Sequence, residues 1–399
     1  MEVSQPTESR TPVSEIDFWS DEVVSNPYPY YDQLRDLGPA VWLARHECWA
    51  IVRHKELREA LLASEAFTST AGIGMNAEAN KNSEGVMIFS DDPDHARLRR
   101  VFNRPLLPGA LNALKDRLTG LAEQRVDQLV AKGAFDAIPE LAQFLPLTVV
   151  TDLVGLTDEG KANMLRWAGG LFDALGPEGH PRTLSGIEIA IEAFTYLHNL
   201  PREALDPQGW AAGLFRAADA GDLSHDEARK MMMDYTGPAL DTTINGLGNA
   251  LSLFARHPEQ WDRLRSDPEL KNRAIEEALR LESPVRAFGR RLTRDYDMDG
   301  GAHMHRGDWA LMVYASGNRD ERRYEDPEKF DIARDARDHV AFGYGMHLCA
   351  GMHLAKLEIR TMLDVLVRRV KRFHLVEEEM VMHNLIRGRD RLILNVDPA

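Results

Sequence analysis

Cysteine is almost absent from this chain: 399 residues contain only Cys48 and Cys349. Two thiols cannot build a disulfide framework or hold an iron–sulfur cluster, and their scarcity fits a reducing compartment. Cys48 sits in the apolar stretch CWAIV and reads as a packed core thiol. Long apolar runs are also missing; none approaches the ~20 residues needed to span a bilayer. The opening MEVSQPTESRTPVSEIDF is polar and acidic, without the basic flank and apolar centre of a secretory signal. Positive charge is in deficit: the formal net charge of −15 works against non-specific binding to nucleic acid. Neither an internal repeat nor a low-complexity linker is present. What remains is a cytoplasmic protein with no nucleic-acid partner and no membrane partner. Residues 1–15 are expected to form a flexible tail, and 16–399 a single domain.

Apolar residues make up 44% of the chain, ample for a sizeable core. NPYPYYDQLRDLG reads as a turn and a short helix stopping at Gly38. AVWLAR and CWAIVR read as a hairpin, and HKELREALLAS as a helix. Residues 68–90 are polar and glycine-containing and are expected to form a long loop of the kind that carries function. From about 92 to 285 helical period dominates. DDPDHARLRRVF is expected to open a helix with Asp92 as N-cap and Pro93 at the first helical position, and Asp267 and Pro268 repeat that signature. After 285 come short strands, a loop-rich run over GNRDERRYEDPEKFDIARDARDH, a helix over about 350–370 and a final hairpin. The fold class is mainly α with small β-sheets.

Cys349 lies in HVAFGYGMHLCAGMHLAKLE, among Gly343, Gly345 and Gly351. Bare backbone on both sides admits positive φ and lets a flat group approach closely. A thiolate is a soft ligand, and amides at a helix start can stabilise its charge. Two other readings stand beside this one. A glycine-rich turn can simply bury a thiol, and zinc has His339, His347 and His353 nearby, although the paired CxxC of structural zinc sites is missing.

The segment FGYGMHLCAG resembles the haem-binding loop of the cytochrome P450 family, and the resemblance runs from about residue 26 to the C-terminus. It implies the cytochrome P450 fold, with haem b between a long central helix and the cysteine loop. Cys349 would be the axial thiolate and metal ligand, pushing electron density onto the iron. Phe342 would pack beside the sulfur, Gly351 would let the macrocycle approach, and His347 would bond a propionate. His95 and Arg99 of PDHARLR, four apart on one helix face, resemble the family's propionate-binding pair, and Arg290 of SPVRAFGRR a further propionate ligand. Glu277 and Arg280 of EALR, with Arg334 of FDIAR, match a buried structural triad supporting the loop.

MMMDYTGPALDTTINGLGNALSLF is a long apolar helix interrupted by polar residues. Its DTT resembles the family's acid–alcohol pair: Thr242 would stabilise dioxygen over the haem, and Asp241 would help deliver protons. Pro238 and Ala239 stand where the family usually has small residues such as Ala-Gly. Pro238 removes an N–H, so the helix should bend by different means. Positions matching the family's pocket walls include Phe172, Leu175, Met233, Ala239, Phe288 and Ile386, which suit a small, mostly apolar ligand.

The resemblance thus implies a monooxygenase inserting one atom of O2, by hydroxylation or O-demethylation. A haem-binding sensor or carrier without turnover is the alternative; it would not need Asp241 and Thr242. FTSTAGIGMN, LFDALGP and DTTINGL look most like bacterial O-demethylases of para-methoxybenzoates and related methoxyarenes. Those grip a carboxylate with arginine and serine, where this chain has Ala71, Asn76, Met233 and Asp234. A neutral aromatic substrate is therefore expected, with Asn76 the only donor among those four and Lys81 the only cation of the 68–90 segment. Electrons from NAD(P)H would arrive indirectly through a ferredoxin and a ferredoxin reductase. Arg97, Arg100, Lys356 and Arg360 are expected to form the basic patch that steers the ferredoxin.

Overall fold

The helical period after residue 92 folds as a succession of helices in the computed structural model, which describes residues 11–399 apart from Glu84 and Gly301. The helices that position the site are Asp94–Phe102, Asp158–Ala174, Pro181–Asn199, His225–Thr236, Asp241–Arg256, Lys271–Leu281 and Met352–Arg369. Every residue from Thr243 to Phe254 is buried, so the 241–256 helix runs through the middle of the body. The 158–174 and 181–199 helices cross at glycine: a Cβ on Gly186 would lie 2.4 Å from the Ala174 amide nitrogen.

The strands are β1 (Val13–Ser14), β2 (Ala40–Leu43), β3 (Cys48–Ile51), β4 (Phe67–Thr68), β5 (Ala134–Asp136) and β6 (Phe288–Leu292). After them come β7 (Tyr296–Met298), β8 (Ala302–Met304), β9 (Trp309–Met312), β10 (Val370–Met380) and β11 (Arg389–Pro398). One sheet has the order β1-β2-β3-β9-β6-β4, a second β10-β11-β5, and β7-β8 is a separate hairpin. The β2–β3 hairpin and the final hairpin stand where the sequence pattern puts them. The sheet side has its own apolar cluster around Phe18, Tyr31 and Leu43, which also encloses Cys48.

Three expectations change. Residues 1–10 of the expected tail lie outside the described residues, and Val13 and Ser14 pair in parallel with Trp42 and Leu43, so the ordered chain begins before residue 15. The helix after DDPD begins at Asp94 with Pro93 at the cap position; Asp92 Oδ1 instead accepts from the Ala96 amide at 3.1 Å. The 68–90 segment is not all loop. Asn76 caps a short helix, Ala77–Asn82, and Met87–Phe89 forms a 3-10 turn.

Candidate active site

The cysteine loop is held by its own backbone. Gly343 and Gly345 have φ of 72° and 70°, and a Cβ on Gly345 would meet the Leu61 carbonyl at 2.7 Å. The Cys349 amide donates to the Phe342 carbonyl at 2.9 Å. The thiol of Cys349 faces a large internal cavity. Burial pushes it up, while the Gly351 amide, Arg99, the Met352 amide and Lys356 pull it down toward the thiolate. Lys356 also sits 5.0 Å over the Phe342 ring.

Four groups able to carry positive charge converge beside this loop. His95, Arg99, Arg290 and His347 all line the cavity. The Nε2 atoms of His95 and His347 are buried without a hydrogen-bond partner, and the two rings lie 4.4 Å apart, tilted by 55°. Burial, His347 and Arg99 push His95 down to about 4. His347 is also lowered, by burial first. Two carboxylates stand near the pair: Asp91, 3.7 Å from His347 Nε2, is occupied by Thr68, Ser69 and Thr70, and Asp92, 3.8 Å from His95 Nδ1, accepts from the Ala96 amide. An end with two unpartnered imidazoles and two guanidiniums is made for an anion. With a soft sulfur ligand and bare glycines beside it, the donor set fits a haem: carboxylates at the cationic end, iron at Cys349.

Behind the loop, Glu277 and Arg280 are both fully buried and pair at 2.7 and 2.9 Å. Arg334 Nε reaches Glu277 Oε1 at 3.1 Å, and Arg280 also donates to the carbonyls of Asn318 and Pro327. Taking away one partner of such a pair costs on the order of 3–5 kcal/mol, so these three residues form a rigid support.

Across the cavity the central helix is broken. One helix ends at Thr236 and the next begins at Asp241, with Gly237, Pro238, Ala239 and Leu240 between. Thr242 lines the cavity and its hydroxyl donates to the Pro238 carbonyl at 3.0 Å. Pro238 has no N–H to give, but its carbonyl anchors the hydroxyl. Asp241 turns away from the cavity: its Oδ1 accepts from Asn245 Nδ2 at 2.8 Å, and its Oδ2 lies 4.0 Å from where a Cβ on Gly169 would sit. Burial pushes Asp241 up to about 6, against the Asn245 hydrogen bond. Asn245 was not picked out from sequence; an amide one turn after an acid was the available signal. Asp173 and His383 were also missed. Burial pushes Asp173 up to about 7 and His383 down to about 4. His383 Nδ1 accepts from the Leu385 and Ile386 amides and stands 3.2 Å from Asp173 Oδ1.

Phe172, Leu175, Met233, Ala239 and Phe288 line the cavity, and the rings of Phe172 and Phe288 lie nearly parallel, 6.2 Å apart. Ile386 does not. It is buried behind Val285, with which it forms a β-bridge, and Val285 forms the wall. Asn76 is no pocket donor either: its amide bonds the Ala174 and Gly176 carbonyls at 2.5 and 3.0 Å, and its oxygen caps Ala79. Lys81 is not among the lining residues. Asp234 does line the cavity. Its carboxylate accepts from the Met87 amide at 3.0 Å, and burial pushes it up to about 7. Glu358, which sequence reasoning passed over, is buried at the cavity wall with both oxygens unpartnered. Burial pushes it up to about 8.

Fold and site together define a helical domain enclosing an apolar cavity between a cysteine loop and an interrupted helix. The cytochrome P450 family model matches residues 211–396. The chain is 35% identical over 390 residues to cytochrome P450 CYP199A2 of Rhodopseudomonas palustris, covering 96% of this chain and 94% of the relative. It is 29% identical to linalool 8-monooxygenase of Pseudomonas putida, covering 88% and 90%. Among solved structures it resembles CYP109Q5 from Chondromyces apiculatus, with TM-score 0.80, 27% identity and coverage of 96% and 98%. P450BioI in complex with an acylated acyl carrier protein matches in fold at TM-score 0.84 and 24% identity, covering 94% and 99%. The chain belongs to the cytochrome P450 family and is a haem-dependent monooxygenase. Among the described residues no helix is long and apolar enough to cross a membrane.

Proposed function

We propose that the chain is a haem-thiolate monooxygenase acting on a small, neutral methoxylated aromatic, by O-demethylation or ring hydroxylation. The observation that carries the substrate reading is where charge lies around the cavity. Its arginines, Arg99 and Arg290, both stand at the cysteine end, and the walls made by Phe172, Leu175, Met233 and Phe288 offer no cation. An ionised benzoate there would be buried unpaired, at a cost of several kcal/mol or more. The likeness of FTSTAGIGMN, LFDALGP and DTTINGL to O-demethylases of para-methoxybenzoates and related methoxyarenes supports the methoxylated aromatic, and the charge distribution supports its neutrality.

In this reading the Cys349 thiolate would hold the haem iron, with its negative charge met by the Gly351 and Met352 amides and by Arg99. His95, Arg99, Arg290 and His347 take the two propionates. When bound, the haem supplies dioxygen activation. The Thr242 hydroxyl, fixed by Pro238, passes a proton toward the cavity, and the Asp241 carboxyl holds the next one. A carboxyl titrating near 6 populates both protonation states around neutrality, as a relay requires. The apolar walls exclude water. Electrons come from NAD(P)H through a ferredoxin and its reductase.

Titration of a methoxyphenol and the matching methoxybenzoate against the spin-state change at neutral pH tests the substrate reading. The neutral ligand should bind at least about tenfold more tightly, a difference of about 1.4 kcal/mol. Tighter binding of the benzoate overturns it. In the same assay Thr242→Ala should bind substrate almost unchanged while diverting NAD(P)H to peroxide. Unchanged coupling would remove Thr242 from the proton path.

A further inference from the structure

Outside the lining of the haem pocket, the β7–β8 hairpin carries a cluster that the monooxygenase chemistry does not use. Tyr296 pairs with Met304, Asp297 with His303, and Met298 with Ala302. Alternation puts Ala302 and Met304 inward and His303 and His305 outward on one face. One step beyond the paired register Asp295 comes opposite His305. The result is two acid–imidazole pairs side by side, with His303 and His305 rings 4.7 Å apart.

We propose that Asp295, His303 and His305 form a binding site for a late first-row divalent cation, zinc in the first instance, and that Asp297 orients His303 in it. One ligand atom from each of the three residues lies within 4.8 Å of the others. Ligands around tetrahedral zinc stand about 3.3 Å apart, given bonds of about 2.0–2.2 Å. The three side chains are 51–67% exposed, so small rotations close the difference without repacking. His303 Nδ1 is 2.6 Å from Asp297 Oδ1, a carboxylate behind an imidazole that fixes the ring and leaves Nε2 for the metal. The Arg306 amide donates to Asp295 Oδ1 at 2.8 Å, which holds that carboxylate toward His305 and leaves Oδ2 available. Two imidazoles and one carboxylate suit zinc, nickel or copper; calcium and magnesium prefer a shell of oxygens. A bound ion would fasten β8 to the segment entering β7. That segment packs through Tyr296 against Phe67, at the start of the stretch that covers the cavity.

The test is calorimetric titration of zinc chloride into the untagged, haem-loaded chain. Wild type should take up one equivalent that His303→Ala and His305→Ala each weaken at least tenfold and that the double variant loses. Asp297→Asn should weaken it severalfold, and magnesium should not compete. The haem absorbance of each variant, unchanged, shows that the protein is intact. Zinc uptake by the double variant with wild-type stoichiometry and affinity, or no uptake by wild type, overturns the site.

Discussion

Cys48 and Cys349 are both raised by burial, but only Cys349 has neighbours that oppose the rise. Cys48 is fully buried, and burial alone pushes it up to about 12. Around Cys349 two amides and two cations work against the same desolvation. Cys349→Ser should therefore abolish activity and the thiolate-type absorbance of the reduced carbonyl complex. Cys48→Ser should leave that spectrum intact and cost only about 1–3 kcal/mol, for burying a hydroxyl without a partner. Equal spectra for the two variants would contradict the assignment of Cys349. Glu358 yields a pH prediction. Its folded pKa is raised to about 8 from an ordinary carboxyl value of 4.5, so the native state holds a proton that the unfolded chain has lost. Native stability from this group falls as pH rises above 4.5, and the loss levels off above 8. At pH 7, about 2.5 units above the ordinary value, the penalty is roughly 3 kcal/mol, at 1.36 kcal/mol per unit. Denaturant unfolding of the haem-free chain should show Glu358→Gln more stable than wild type at pH 7–8 and equal to it near pH 4.

At the scale of elements, Asn76 both caps a helix in the segment over the cavity and clamps that segment to the 158–174 helix, beside the bond from the Met75 amide to the Leu175 carbonyl at 2.9 Å. Asn76→Ala removes the cap of the 77–82 helix and both bonds to the end of the 158–174 helix. A lost cap alone costs about 0.5–2 kcal/mol. Expected outcomes are weaker substrate binding and faster proteolysis or amide exchange confined to 70–90; unchanged exchange there would refute the clamp. Elements of this kind mark the limit of what the sequence discloses. The periodic helices and the hairpin at 40–51 are local patterns read from neighbouring residues. The role of the cysteine loop and the burial of the Glu277–Arg280 pair came through the family resemblance, since a Glu and an Arg one turn apart read by themselves as a surface ion pair. Asn76 looked like a pocket donor because nothing local shows that the Ala174 and Gly176 carbonyls take its amide. Ile386 looked like a wall because its apolar side chain cannot reveal that Val285 stands in front. Asp173 and His383 meet across 210 residues, and no spacing rule connects them.

At the scale of the whole molecule, the acidic chain carries less free positive charge on Arg97, Arg100, Lys356 and Arg360 than its sequence suggests. Arg97 pairs with Asp94 and Glu227, and Lys356 with Glu276. Among the described residues Arg100 and Arg360 are exposed with no ion-pair partner. On the proposed ferredoxin route, reduction should accordingly slow with ionic strength, and Arg100→Glu with Arg360→Glu should slow it severalfold at low salt. Arg97→Ala should have little effect; stopped-flow reduction rates decide between them. Because Asn76 and the Met75 amide tie the cover of the cavity to the end of the 158–174 helix, which forms another of its walls, the two yield together. A ligand slightly too large gains no room by nudging one wall, since that wall moves only when the whole fastening lets go. Across a series of aromatics of growing width, turnover should then hold nearly level and stop abruptly, as with a latch, instead of declining by degrees.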